Sequence, residues 1–196
     1  MKVRKQLVLA SRSPRRQLLL RQLGLEFDVQ ESGVEEEFDA ALSIEDNVCL
    51  VASRKAAAVA RHFNDAIIIG ADTTVVLDGA IFNKPRDGSE AAMMLRTLSG
   101  RTHQVYTGFV LLDRPSGKSA ASVEVTNVTF RALGEEEIAD YVRSGSPMDK
   151  AGAYGIQDDY GAVFVERIDG CFYNVVGFPL AKFYLAFEKF QQQLGL

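Results

Sequence analysis

Leu7-Val8-Leu9-Ala10-Ser11-Arg12-Ser13-Pro14-Arg15-Arg16 passes from an apolar run to a helix start in a few residues. Leu7–Ala10 is short, apolar and carries a β-branched residue, so it reads as a buried strand. Ser13 before Pro14 is a helix opening: the serine caps, and proline occupies the first helical position, where no N–H is needed. Leu18, Leu19, Leu20 and Leu23 give this helix an apolar face, and Gly24 stands where a C′ glycine belongs. Phe27–Gln30 then reads as a second strand. A strand, a capped helix and a second strand are the opening of an α/β fold.

The rest of the chain continues the alternation. Ser43 with Asp46 three residues on resembles a capping box, and predicts a helix from Ile44 to about His62. Ala66–Ala71 is fully apolar, as expected of a strand covered on both faces. Thr73–Leu77 and Ala80–Phe82 flank Asp78-Gly79, a hairpin signal. Asp87-Gly88-Ser89-Glu90 starts a helix reaching Leu98. Val105–Asp113 and Ser119–Arg131 read as long strands joined by Arg114-Pro115-Ser116-Gly117. Glu135–Ser144 predicts a short helix. Ala162–Ile168 and Phe172–Val176 read as a second hairpin around Asp169-Gly170, and the last helix begins near Pro179. The expectation is an α/β mixed sheet with flanking helices: one domain over 1–196, in two lobes that share one core.

Composition narrows the function. Of 196 residues, 47% are hydrophobic, which excludes intrinsic disorder. Net charge is −4, with 22 basic and 26 acidic residues, so a general nucleic-acid binder is disfavoured. No apolar run approaches the ~18 residues of a membrane helix. The apolar run after Lys5 is too short for a signal peptide, and Cys49 and Cys171 are too few for a disulfide scaffold, so a cytoplasmic location with two inert thiols is expected. Charge is also unevenly placed. Residues 1–25 hold seven cations and no acid, and residues 26–46 hold nine acids and no cation. These are either two solvated faces or an anion site beside a cation site, the latter suited to a metal-bound polyphosphate.

Three groups of residues can carry that chemistry. The loop Ser11–Arg16 lies at a helix start, where backbone N–H groups and the helix dipole favour anions. Ser11 and Ser13 add hydroxyl donors, and Arg15 and Arg16 can grip phosphate oxygens. Two arginines in a first turn oppose the dipole, a conflict that an external anion would relieve. Asp72, read as following the most apolar strand, could hold a metal ion or act as a general base; its bland alternative is a turn with Thr73-Thr74. Glu35, Glu36, Lys55, Lys84 and Gln157 complete the set, with Glu36 a second carboxylate and the lysines point charges for phosphate. His62 and His103 have no ligand spacing, so a zinc site or a Ser-His-Asp triad is unsupported and both histidines read as surface or hydrogen-bonded structural residues.

The motif Ser11-Arg12-Ser13-Pro14-Arg15-Arg16 resembles the S-x-S-P-R-R signature of the Maf family of nucleoside-triphosphate pyrophosphatases. The resemblance runs in order through Val34-Glu35-Glu36, Arg54-Lys55-Ala56, Gly70-Ala71-Asp72-Thr73, Lys84-Pro85, Leu98-Ser99-Gly100, Thr102-His103, Asp149–Gln157 and Val176-Gly177-Phe178-Pro179-Leu180. It points to the branch acting on dTTP and UTP, and it implies an elongated Maf/ITPase-like architecture with two lobes around a central cleft. It implies Asp72 as proton acceptor, Arg15, Thr73 and Gln157 at positions of base choice, and Ser11, Arg16, Lys55 and Lys84 in phosphate handling. It also implies Glu36 and Asp72 near a divalent Mg²⁺ or Mn²⁺, nucleoside triphosphates as substrate, and a homodimer. Where the family runs Gln-Gly-x-Gly, this chain has Gln157-Asp158-Asp159-Tyr160-Gly161, a longer and more acidic loop. The competing reading is a nucleotide-binding regulator of septum formation that binds without turnover.

Overall fold

The computed structural model describes residues 3–157 and 159–196. Lys2 of the cationic run and Asp158 of the loop after Gln157 lie outside the described residues. The strands are β1 (Leu7–Leu9), β2 (Asp28–Val29), β3 (Ala66–Leu77), β4 (Ala80–Phe82), β5 (Thr102–Arg114), β6 (Ser119–Phe130) and β7 (Val165–Asp169). The helices are α1 (Pro14–Gln22), α2 (Ile44–Ala60), α3 (Gly88–Leu98), α4 (Glu135–Arg143), α5 (Phe172–Val176) and α6 (Leu180–Leu194). The seven strands form one mixed sheet in the order β2-β1-β3-β5-β6-β7, with β4 on β3. β1 is parallel to β2 and β3, pairing Leu7 with Ile67 and Leu9 with Ile69. β4 is antiparallel to β3, and β7 to β6.

Local chemistry explains the helix boundaries. Ser13 Oγ accepts from the Arg16 N–H, and Gly24 takes the left-handed conformation (φ 69°) that ends α1. Ser43 Oγ accepts from the Asp46 N–H at 3.1 Å. Asp87 accepts from the Glu90 N–H at 2.8 Å. Asp78 and Gly79 both have positive φ, as a two-residue type I′ hairpin turn requires.

The chain divides into two compact units. The first comprises 1–72, 107–124 and 177–196; the second comprises 73–106 and 125–176. In the first, Val8, Ala10, Ala52, Ala56, Val59, Ala60, Ala66, Ile68 and Val110 form a core cluster between α2 and the sheet. The alanines matter because α2 lies very close to the strands. A Cβ at Gly70 would stand 2.1 Å from the Ala52 carbonyl oxygen, and one at Gly108 2.6 Å from the Val48 carbonyl carbon. Phe109, Phe178, Phe183 and Phe187 make a chain of ring contacts that seats α6. In the second unit the core is built from Val75, Leu95, Leu98, Val128, Phe130, Ile138, Tyr141, Tyr154 and Phe164, among others.

Four sequence expectations need correction. Ala66–Ala71 and Thr73–Leu77 are one continuous strand, β3, which runs through Asp72 without a turn. Leu18 is exposed, because α1 buries only Arg16, Leu19 and Leu20. Phe172–Val176 is a helix rather than a strand. Asn174 decides this: its buried amide donates to the Val105 carbonyl and to Thr126 Oγ1, both at 2.9 Å, and its N–H closes a turn on the Cys171 carbonyl. Finally, β7 begins only at Val165, after a 3₁₀ segment over Asp159–Phe164, and pairs with β6.

Candidate active site

Five of the expected site residues meet in the first unit, around the Ala71 carbonyl and the Asp72 side chain. Asp72 sits mid-strand with only 4% of its surface exposed. Lys55 projects from α2, is equally buried, and places Nζ 2.7 Å from Asp72 Oδ1 and 2.6 Å from Glu36 Oε1. It also donates to the Ala71 carbonyl at 3.4 Å. Glu36 comes from the irregular acidic segment and is exposed on its outer side, so it is the point where this cluster meets solvent.

Arg16 forms the other side. Its Nε donates to the Gly177 carbonyl at 3.1 Å, and its Nη1 to Ser11 Oγ at 3.2 Å and the Ala71 carbonyl at 3.0 Å. Burial pulls the guanidinium below its ordinary range, while the charges of Asp72 and Glu36 act the other way. The conflict between two cations and the dipole of α1 is thus met partly inside the protein, by backbone carbonyls and two carboxylates. Ser11 Oγ also accepts from the Ser13 N–H at 3.2 Å, so its own hydroxyl hydrogen is what it can offer to a ligand. Arg15, the next residue on the same turn, is half-buried.

The remaining expected residues belong to the second unit. Thr73 follows Asp72 on β3 and, by strand alternation, leaves from the opposite face. Lys84 is exposed just beyond β4, in Asn83-Lys84-Pro85, and Asn83 Oδ1 accepts from the buried Thr74 hydroxyl at 3.0 Å. Gln157 is half-buried at the end of the Lys150–Gln157 segment. Sequence reasoning missed the backbone: the Ala71 carbonyl accepts from both Arg16 and Lys55 and the Gly177 carbonyl from Arg16, and no side-chain pattern announces them.

The donor set can be tested against a hard divalent cation. Among the described residues no group of three or more His, Cys, Asp and Glu side chains could hold a metal alone. Glu36 and Asp72 are two carboxylates on one ammonium, however, and Mg²⁺ is commonly bound by one or two carboxylates with phosphate oxygens and water. Carboxylate oxygens of this pair other than the two on Lys55 could join the shell of a metal that arrives with a polyphosphate. Both cysteines are free and half-buried, and burial, then Asp46, pushes the Cys49 thiol up. Among the described residues no helix is long and apolar enough to cross a membrane.

Comparison with known proteins supplies the context. Residues 6–190 match the profile of a family described as Maf-like protein. A dTTP/UTP pyrophosphatase of Pelotomaculum thermopropionicum is 49% identical, covering 95% of this chain and 97% of the relative. One from Geobacillus sp. is 51% identical over 91% and 94%, and one from Caldicellulosiruptor bescii 44% identical over 94% of each.

Proposed function

This chain belongs to the Maf family, and from that premise we propose that it hydrolyses dTTP and UTP to the nucleoside monophosphate and pyrophosphate. The observation that carries the reading is the cluster of buried Ser11, Arg16, Lys55 and Asp72 with exposed Glu36 at its rim, within relatives that share about half their residues with it and are named for this reaction.

The proposed chemistry is positional and electrostatic. The Ser11–Arg16 loop, at the positive end of α1, takes phosphate oxygens through backbone N–H groups and the Ser11 hydroxyl. Arg16, held by carbonyls on two sides, stiffens that loop and supplies fixed positive charge behind it. Asp72 accepts a proton from the attacking water as the new bond to the α-phosphorus forms. The α–β phosphoanhydride bond breaks, and pyrophosphate leaves. Lys55 fixes the carboxylate's orientation through the 2.7 Å contact and balances charge on the phosphates. A divalent cation held by Glu36 and Asp72 would polarise the phosphates and neutralise the departing pyrophosphate. Lys84 is assigned to the phosphate chain, and Arg15, Thr73 and Gln157 to choice of base. A homodimer in the cytoplasm, serving to clear nucleotide pools and tied to division arrest, completes the reading and rests on the family resemblance.

The test is to incubate the purified protein with a panel of nucleoside triphosphates and Mg²⁺ or Mn²⁺, then resolve products. Monophosphate with pyrophosphate from dTTP and UTP supports the proposal. Diphosphate with phosphate moves the attack to the γ-phosphorus. Tight binding without turnover overturns it in favour of a regulator.

A further inference from the structure

The second unit contains a buried histidine that the chemistry above does not use. His103 is 1% exposed, at the start of β5. Its Nε2 lies 2.8 Å from the Tyr154 hydroxyl, and its ring packs edge-on against Phe130 and Tyr154, with centroids 4.9 and 5.4 Å away. Its Nδ1 is buried and meets no hydrogen-bond partner among the described residues. A phenylalanine would make the same ring contacts without leaving a buried nitrogen unmet, so packing alone does not account for a histidine here. What distinguishes histidine is the bond to Tyr154.

Tyr154 closes a segment that is strained and heavily tethered. Gly152 and Ala153 both have positive φ, 68° and 61°, and for alanine that conformation is sterically costly. A Cβ on Gly152 would lie 2.9 Å from Val75 Cγ2. The Gly152 N–H donates to the Asn83 carbonyl, beside Lys84, and the Ala153 N–H to the Lys150 carbonyl. Lys150, itself buried, donates to the Ser146 carbonyl at 2.7 Å and to Asp149 at 2.9 Å. Strained backbone persists only where its surroundings over-determine it. At the far end of this segment the Tyr154 hydroxyl on His103 is the tether, and Gln157 follows three residues later, within about 10 Å of chain.

We infer that His103 is a positioning residue for base choice: through Tyr154 it holds the Lys150–Gln157 segment, and thereby the amide of Gln157, in a fixed place. This inference rests on the proposed role of Gln157. It predicts that removing the bond while keeping both rings loosens the segment and blurs discrimination, with little effect on the remainder of the fold.

The experiment uses the full chain with His103→Phe and, separately, Tyr154→Phe, beside Gln157→Ala. Hydrogen exchange read by mass spectrometry should show the 151–157 peptide exchanging at least about tenfold faster in both ring-conserving variants, with β3 unchanged. The ratio of kcat/KM for dTTP over dCTP should fall at least about fivefold in both, in the direction shown by Gln157→Ala. Unchanged exchange in both variants overturns the tether. Faster exchange with an unchanged ratio, while Gln157→Ala shifts it, overturns the positioning role. If Gln157→Ala itself leaves the ratio unchanged, the base-choice assignment fails and takes the selectivity half of the inference with it; the exchange data then show that failure to be separate from the tether. Should His103→Phe not fold, Tyr154→Phe decides alone.

Discussion

Gly70→Ala tests whether the close approach of α2 to β3 sets the active-site geometry. The added Cβ would lie 2.1 Å from the Ala52 carbonyl oxygen and 3.0 Å from the Ala56 Cβ, where ordinary contact begins at 3.4 Å. The nearer obstacle is backbone, so no side chain can turn aside, and the helix must retreat by about 1 Å. Overpacking of this kind costs about 1–3 kcal/mol, or roughly 3–10 °C in Tm at this chain length. Lys55 rides on the same helix, and its 2.7 Å contact with Asp72 would lengthen toward the limit of a hydrogen bond. Misplacement of about 1 Å can lower turnover by up to about 10²-fold. Gly108→Ala is the matched control. Its Cβ would strike the backbone at Val48 and Cys49, near the start of α2 and two turns from Lys55. Thermal melts and dTTP turnover should show similar stability losses for both variants, but a several-fold larger kcat loss for Gly70→Ala. Wild-type Tm and kcat in Gly70→Ala would refute the reasoning, and so would equal kcat losses in the two.

Further outcomes follow from the same geometry. Asp72→Asn should lower kcat by about 10² or more, measured by pyrophosphate release below the variant's own melting temperature; near-normal turnover removes it as proton acceptor. Lys55→Met leaves the buried Asp72 without its ammonium, and should cost about 3–5 kcal/mol in denaturant unfolding, most of it recovered by adding Asp72→Asn. An additive double variant would show that the two side chains are not coupled. Burial lowers His103 to about 4 from 6.5. The unfolded chain therefore takes up this proton first as pH falls, so stability declines from pH 6.5 to about 4, by up to about 3 kcal/mol. The difference in unfolding free energy between wild type and His103→Phe should change across that window and be flat above it. Exhaustive chelation should abolish turnover and Mg²⁺ or Mn²⁺ restore it; full activity after chelation would exclude the cation.

Features encoded locally could be read from the chain, and features created by packing could not. Ser13-Pro14, Ser43 with Asp46, and Asp78-Gly79 each act within four residues, so their caps and turn are where the sequence places them. Asp72 misled because aspartate is poor in strands and interrupted an otherwise apolar run. Its carboxylate is tolerated in mid-strand because Lys55, seventeen residues away, reaches it. Phe172–Val176 has strand-forming residues, yet the Asn174 amide, bonded to Val105 and Thr126, holds a helix there. The residue types of the site were legible as a family pattern. That Arg16 turns inward to carbonyls at Ala71 and Gly177 was not, since a backbone acceptor has no letter of its own.

The three-piece construction of the first unit also bears on synthesis of the protein. Arg16 emerges early from the ribosome, but its acceptor at Gly177 is translated 161 residues later. The rings Phe178, Phe183 and Phe187, which cover Phe109, come later still. Until then the nascent chain holds β1, α1 and α2 without the segment that locks them. The half-built unit must be kept from aggregating while the second unit is made. Neither unit can be cut out as a continuous fragment, so premature termination yields no working piece.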